Sequence, residues 1–296
     1  MKIGIPRLGL YSDSFSDLLK RLGCEVVDCP QITKKTAEIG CKHINELMCY
    51  PIKVTLGSMV ELLDKGAEVL VAFDTEGPCR FKTYHIIQEQ ILKDMGYDFE
   101  MHTIRGRTIL KDIKGFTGKS KLRIMRELYN FTKRIKNLDD KLKEELEQGD
   151  PKIGVIGEIY TLIENRVNMD LFKKLQSNGA AVYNSLYLSD FIRHHFKNRK
   201  DKFEKKTEKY FPVKDFGGHA KYSIANTIKF AEQGIDGVIH IYPFPCSPES
   251  AVVEVLDKVG RDYKVPMMHL IFDESSSETN LENRVEAFVE MIRRKK

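Results

Sequence analysis

Short apolar runs alternate with amphipathic stretches along the whole chain of 296 residues. In the first half the apolar runs predict β-strands near residues 2–6, 24–28, 68–73 and 98–103. The stretches between them predict helices near residues 12–22, 51–65 and 83–95. Alternation of strand and helix is typical of βαβ units, so the sequence predicts an α/β fold.

The pattern starts again in the second half, where Pro151–Gly157 (PKIGVIG) is similar to the opening Lys2–Pro6 (KIGIP). Further strands are predicted near 180–184, 236–242 and 265–271, with helices near 166–178, 218–234, 248–259 and 281–293. We therefore expect two Rossmann-like lobes with mainly parallel sheets, at residues 1–116 and 151–296. Leucines and isoleucines at helical spacing predict that residues 117–150 form a helical linker.

Composition narrows the class of protein. Hydrophobic residues make up 42% and charged residues 31%, which is ordinary for a folded domain, and the net charge of +5 is too small to predict a nucleic-acid partner. No apolar run approaches the roughly 20 residues that cross a bilayer, so we expect a cytoplasmic protein with no membrane contact. Disulfides are rare in a reducing cytosol, which leaves the six cysteines as core residues, metal ligands or reactive thiols.

Three of the cysteines stand beside predicted elements in a way that suggests a ligand site. Cys49 precedes a helix, whereas Cys79 and Cys246 each follow a strand. Open parallel sheets bind ligands beyond the carboxyl ends of their strands, so thiols at this edge suit a metal cluster. The spacing between the three matches no zinc-finger pattern and by itself leaves their role open.

Local sequence around these positions resembles one family. The segment around Cys49 (ELMCYPIK), the later segments GGH at Gly217 and PFPCSPE around Cys246, and the closing FDE and NRVEAF are similar to those of 2-hydroxyacyl-CoA dehydratases. Uncharacterised relatives associated with CoA-enzyme activases, some of them with double-cubane clusters, share these segments. The resemblance covers nearly the whole chain.

This resemblance implies that Cys49, Cys79 and Cys246 hold a 4Fe–4S cluster between two Rossmann-like lobes. Three thiolates would leave one iron open to substrate, so the resemblance implies reductive chemistry on an acyl-CoA in anaerobic metabolism. The chain contains no Walker A motif, so the electron would come from a separate ATP-dependent iron–sulfur activator. A related sister subunit or a homodimer is also implied. Catalysis as a lyase or as a reductase component is left open.

Two other functions remain open at this point. A non-catalytic electron-transfer protein would use the same three ligands, and a two-lobed small-molecule binding protein would need no metal. Cys29 and Cys41 stand where they could join the site, and an 8Fe–9S double cubane would require all six cysteines, whereas Cys24 is expected in the core.

Several polar residues also have two interpretations. His219 is expected either to cap a helix or to meet a ligand, and His240 and His269 are expected to be satisfied histidines in strands. The pairs Asp74 with Glu76 and Asp273 with Glu274 fit proton transfer or helix capping. The basic stretch Arg193–Lys209, which contains His194 and His195, fits a solvated face or an anionic partner such as a nucleotide-bearing acyl carrier.

Overall fold

The computed structural model describes residues 2–74, 79–197, 202–213 and 218–296. They divide into two compact units between Asn137 and Leu138. Each unit contains a four-stranded sheet whose strands are all parallel. The predicted α/β class with two Rossmann-like lobes is confirmed. In this part of the chain no helix is both long and apolar enough to cross a membrane.

In unit 1 the strand order is β2-β1-β3-β4. The strands are β1 (Lys2–Gly4), β2 (Glu25–Val27), β3 (Val69–Asp74) and β4 (Glu100–Arg105). The helices are α1 (Ser12–Arg21), α2 (Lys34–His43), α3 (Tyr50–Asp64), α4 (Phe81–Asp94) and α5 (Ile109–Thr117). Central β3 begins with four buried residues, as expected of a strand covered on both faces.

Helix α3, which starts directly after Cys49, is buried along most of its length. Pro51 suits the first turn because its missing N–H would have no intrahelical partner there. Helix α2, which the sequence did not predict, covers α3 at very close range. A Cβ on Gly40 would lie 1.8 Å from the carbonyl oxygen of Lys53, so the α2–α3 contact requires glycine. This packing fixes the helix start that carries Cys49.

Helix α6 (Lys121–Leu146) occupies the segment that was predicted to be helical. The Arg123 guanidinium donates to the carbonyl oxygen of Arg21 in unit 1. In unit 2, Lys143 forms an ion pair with Asp190, at 3.3 Å. The division between the units falls inside this helix, and the predicted domain limits stay a prediction.

In unit 2 the strand order is β6-β5-β7-β8, which repeats the topology of unit 1. The strands are β5 (Lys152–Gly157), β6 (Ala181–Asn184), β7 (Gly237–Pro243) and β8 (Met267–Phe272). The helices are α7 (Ile159–Ile163), α8 (Leu171–Ser177), α9 (Leu188–Lys197), α10 (Lys202–Thr207), α11 (Ala220–Glu232), α12 (Ser247–Ser250), α13 (Val253–Tyr263) and α14 (Glu278–Arg293). Every residue of β7 is buried.

Three of the predicted elements differ from those in the structure. The helix expected from residue 166 starts only at Leu171, because Met169 and Asp170 adopt left-handed φ angles of 55° and 54°. The helix expected near 248–259 is divided into α12 and α13. Strand β2 lies at the edge of its sheet with Glu25 exposed, and Cys24 before it is only half-buried, so the prediction of Cys24 in the core was wrong.

Candidate functional site

Each sheet has a point where the strand order reverses, between β1 and β3 in unit 1 and between β5 and β7 in unit 2. In open α/β sheets, ligands bind beyond the carboxyl ends of the strands at such points. Cys79 follows β3 and Cys246 follows β7. The chain therefore places a predicted ligand cysteine after the inner strand at the reversal point of each sheet.

Cys49 is the N-cap residue of α3, and its half-buried thiol is in hydrogen-bond contact with the Tyr84 hydroxyl. Tyr84 lies on α4 and is 2% exposed. The positive end of the α3 dipole favours negative charge on a sulfur at this position. Cys49 is thus held between a helix start and a phenol, in a setting that suits a thiolate ligand.

Cys79 lies just beyond residues 75–78, which are outside the described ranges, and directly before α4. Burial raises the pKa of Tyr84, and the nearby Cys49 and Cys79 raise it further. Tyr84 therefore stays protonated and can donate its hydrogen to a sulfur. One predicted ligand cysteine, Cys49, thus contacts this phenol, and a second, Cys79, lies within electrostatic reach of it.

The other cysteines of unit 1 lie in different environments. Cys24 precedes β2, at the amino edge of the parallel sheet, whereas Cys29 follows β2 at the carboxyl edge. Burial raises the pKa of Cys29 to about 11. Cys41 is half-buried on α2, and none of the six cysteines, all of which lie in the described ranges, is in a disulfide.

One member of each predicted carboxylate pair is engaged in structural contacts. Asp74 accepts a hydrogen bond from Arg105 Nε at 2.9 Å, and its predicted companion Glu76 lies outside the described residues. Asp273 accepts from the backbone N–H of Ser275 and from the Ser276 hydroxyl in the turn after β8.

In unit 2 the reversal point is formed by Gly157 and His219. Gly157 has a φ of 143°, and a Cβ there would lie 1.7 Å from the carbonyl oxygen of Ile241 on β7. His219 Nδ1 lies 3.1 Å from the Gly157 carbonyl oxygen, to which it donates. His219 is 7% exposed, and burial lowers its pKa, so the ring is neutral near pH 7 and Nε2 is its acceptor nitrogen.

Glu158, the next residue, caps α7. Its carboxylate accepts hydrogen bonds from the backbone N–H groups of Tyr160 and Thr161 and from the Thr161 hydroxyl. Burial nevertheless raises the pKa of Glu158, and the negative charge of Glu249 adds to the shift. A carboxyl group with a raised pKa near a neutral imidazole is a pairing typical of acid–base sites.

Cys246 is the N-cap residue of α12 and is 8% exposed. Its backbone is fixed by a hydrogen bond from its own N–H to the Pro243 carbonyl oxygen and by the Ser250 hydroxyl, which donates to the Cys246 carbonyl oxygen. Burial also raises the pKa of Tyr242, and Cys246 is the next contributor.

Behind Cys246 lies a connected set of buried polar side chains. Glu249 Oε2 accepts from the Ser223 hydroxyl and lies 2.9 Å from His240 Nε2. His240 Nδ1 lies 3.0 Å from His269 Nδ1, and His269 Nε2 lies 2.9 Å from Asp257 Oδ1. Both histidines are hydrogen-bonded at both ring nitrogens.

Sequence reasoning did not identify Tyr84, Glu158, Ser223, Glu249 or Asp257. A signal for Glu249 existed, because it stands three residues after Cys246 at the start of a helix that opens with proline. No comparable signal existed for Tyr84, whose contact with Cys49 depends on how α3 and α4 pack. In the basic stretch, Arg193 pairs with Asp190 at 2.6 Å, and the side chains of His194 and His195 lie outside the described ones.

No preassembled metal site is present in the ranges given above: no three cysteine, histidine, aspartate or glutamate side chains there lie in a metal-binding arrangement. The donor chemistry still fits an iron–sulfur cluster, because soft thiolates select such clusters, Cys49 contacts Tyr84 and Cys79 lies within electrostatic reach of the same phenol.

Comparison with known families adds to this geometry. A family model described as 2-hydroxyglutaryl-CoA dehydratase, D-component, matches residues 120–292, more than half of the chain. The chain belongs to this family. A second model, described as CoA enzyme activase uncharacterised domain, matches residues 2–72, and no curated protein matches the chain. The predicted resemblance to 2-hydroxyacyl-CoA dehydratases is confirmed.

The dehydratase D-component match contains His219, Cys246 and Glu249, and the activase-domain match contains Cys49. Cys79 lies between the two matched segments. The assignment of Cys79 therefore depends on its place after the carboxyl end of β3 and on its electrostatic effect on Tyr84.

Proposed function

We propose that this chain is an iron–sulfur component of a 2-hydroxyacyl-CoA dehydratase system, with Cys49, Cys79 and Cys246 as the cluster ligands. The observation that carries the proposal is the position of these cysteines. Cys79 and Cys246 follow the inner strand at the reversal point of their sheets, and Cys49 and Cys246 are helix N-caps.

A 4Fe–4S cluster is favoured over a double cubane by the position of Cys24. An 8Fe–9S cluster would require all six cysteines, but Cys24 lies at the amino edge of the unit 1 sheet, opposite Cys29. Cys29 packs against the apolar core of unit 1, where burial raises its pKa. The position of Cys24, away from the edge at which parallel sheets bind ligands, suits a structural thiol better than a ligand.

The bound cluster would supply one-electron reduction, and the residues around its ligands would control protons and charge. Tyr84 donates to the Cys49 sulfur, and hydrogen bonds to cluster sulfurs influence the reduction potential. His219 keeps a neutral imidazole at the β5–β7 edge, and Glu158 has a raised pKa there. These two residues are the groups best placed in unit 2 to accept and donate a proton when a hydroxyl group leaves a 2-hydroxyacyl thioester.

We further propose that a separate ATP-dependent activator supplies the electron, since the chain contains no Walker A motif. Acyl-CoA is the proposed substrate class, and a sister subunit is the proposed partner. Both proposals are supported by family membership and by the activase-domain match. Turnover driven by dithionite alone, without an activator and ATP, would contradict the activator requirement.

The ligand assignment is tested by purifying the full chain without oxygen and measuring iron and sulfide. Cys49→Ser, Cys79→Ser and Cys246→Ser should each lose the cluster or bind it weakly, whereas Cys24→Ser should match the wild type. Equal iron content in all variants would refute the assignment. Iron-free wild-type protein would instead indicate a metal-free binding protein. A cluster whose spectrum changes with none of the added ligands would indicate an electron carrier.

A further inference from the structure

The polar side chains behind Cys246 form an unbroken hydrogen-bonded series from the surface of unit 2 to its interior. Asp257 on α13 and His269 on β8 have side chains that are 34% and 20% exposed. His240 on β7 and Glu249 on α12 have side chains that are 0% and 1% exposed. The series thus starts where water can reach it and ends at a carboxyl group that water does not reach.

We propose that Asp257, His269, His240 and Glu249 form a proton relay between the surface of unit 2 and the buried Glu249 carboxyl group. The inference rests on the proposed function only for the identity of the bound molecule that exchanges a proton with Glu249. The relay itself is carried by the contacts of these four side chains.

The number of protons supports a relay rather than a static network. Three hydrogen bonds connect the four groups, and each bond contains one proton. When Asp257 is ionised, His269 Nε2–H donates to it, His240 Nδ1–H donates to His269, and the Glu249 carboxyl group donates to His240 Nε2.

Moving each proton by one bond produces the opposite arrangement. The Asp257 carboxyl group then donates to His269 Nε2, His269 Nδ1–H donates to His240, and His240 Nε2–H donates to the Glu249 carboxylate. Both arrangements contain the same number of protons and the same charge. A proton can therefore pass between Asp257 and Glu249 without forming a charged imidazole inside the protein, which would be costly.

Glu249 has a second oxygen from which a proton can leave. Oε2 accepts from Ser223 and faces His240, whereas Oε1 is buried with no hydrogen-bond partner among the described residues. A carboxyl group can take a proton on one oxygen and release one from the other. An orphaned buried acceptor is costly, so Oε1 is best explained as the point where the relay meets a ligand.

The groups around the relay agree with a ligand at the Glu249 end. Glu158, His219 and Tyr242 lie within electrostatic reach of Glu249, at the carboxyl edge of β5 and β7. At the other end Arg284 donates to the His269 carbonyl oxygen and lies within electrostatic reach of its ring. The buried end therefore faces the candidate site of unit 2.

The test is the exchange of the His240 ring N–H proton with water, measured by NMR on metal-free, ¹⁵N-histidine-labelled full chain. His269→Gln keeps a hydrogen-bonding side chain but cannot pass a proton. We expect His240 exchange to fall at least ~10-fold, toward the rate set by local opening of the fold. Asp257→Asn, which changes one partly exposed group, should also slow exchange.

Glu254→Gln is the matched control, because it removes one exposed carboxylate from the same helix, α13. An unchanged exchange rate in His269→Gln, or an equal fall in Glu254→Gln, would overturn the relay. If His269→Gln does not fold, Asp257→Asn carries the test.

A second readout is the protonation of the facing nitrogens. Their ¹⁵N shifts should show one protonated and one unprotonated Nδ1, and two protonated Nδ1 atoms at pH 7 would overturn the relay. Neither measurement needs iron or substrate, so failure of the proposed function would leave these results unaffected.

Discussion

The Tyr84 hydroxyl on α4 contacts the Cys49 sulfur at the start of α3. The phenol is 2% exposed and its pKa is raised, first by burial and then by the two neighbouring cysteines. A buried phenol that keeps its proton is a permanent hydrogen-bond donor to the sulfur. The contact thus links the packing of two helices to the electronic properties of a proposed cluster ligand.

Replacing Tyr84 with Phe should make the cluster harder to reduce. The variant keeps the ring but removes one hydrogen bond to sulfur, and a bond of ~1 kcal/mol corresponds to a decrease of roughly 40 mV in a one-electron potential. An anaerobic redox titration followed by electron paramagnetic resonance measures the change. Tyr97→Phe is the control, since the Tyr97 hydroxyl donates to Asp64 in the same unit. Equal potentials in wild type and Tyr84→Phe would refute the role of this contact.

Iron quantitation should distinguish the single cubane from the double cubane. We expect about four iron atoms per chain, and no loss of iron in Cys29→Ser or Cys41→Ser, because the position of Cys24 at the amino edge of its sheet disfavours a six-cysteine double cubane. A wild-type content near twice that value, with about half lost in each variant, would establish a double cubane instead. The control is Cys246→Ser, which should lose iron in either case.

The strands of both sheets were predictable because β-branched and apolar runs of strand length are strong local signals. The same signals placed Cys79 and Cys246 after strands. Helix α2 was not predicted, and its close contact with α3 at Gly40 depends on tertiary packing rather than on a local pattern. Its capping box at Thr33 was a local signal that sequence analysis could have used.

The proton relay could not have been predicted, although both of its histidines were noticed. His240 and His269 lie in different strands, and only the parallel register of β7 with β8 places them directly opposite each other. A shift of one residue would move either ring to the other face of the sheet. Glu249 enters the set through the turn after β7, which sequence alone does not specify.

Gly157→Ala should destabilise the protein far more than Gly234→Ala, a glycine replacement at an open position in unit 2. A Cβ at residue 157 would lie 1.7 Å from the Ile241 carbonyl oxygen, and its φ of 143° disfavours any L side chain. We expect the free energy of unfolding to fall by more than ~3 kcal/mol in urea titrations. Gly234→Ala also requires a positive φ but has open space around the Cβ, so it should cost only ~1 kcal/mol. Similar losses of stability in the two variants would show that the β5–β7 edge can accommodate a methyl group at residue 157.

His219 should make the stability of the protein depend on pH. Burial lowers the pKa of His219 below its ordinary value of 6.5, although the Gly157 carbonyl and the Glu249 carboxylate oppose the shift. In the unfolded chain the same imidazole takes up a proton near pH 6.5. As the pH falls through this value the unfolded state binds more protons than the folded state, so the free energy of unfolding decreases. The loss continues until the pH reaches the lower pKa of the folded state.

His219→Gln removes the titrating group but keeps an N–H donor for the Gly157 carbonyl oxygen. Urea titrations at about pH 7.5 and about pH 5.5, on either side of the ordinary pKa, should therefore show a smaller loss of stability in the variant than in the wild type. The pKa of His269 is also lowered, so it adds to the loss of stability at low pH, whereas the raised pKa of Glu158 opposes that loss. Only the difference in this loss between wild type and variant therefore isolates the contribution of His219. His43→Gln, at an exposed position on α2, should leave the loss unchanged. If His219→Gln lost as much stability as the wild type between these pH values, the His219 imidazole would take up a proton as readily in the folded protein as in the unfolded chain. That result would remove the basis for a neutral His219 in proton transfer.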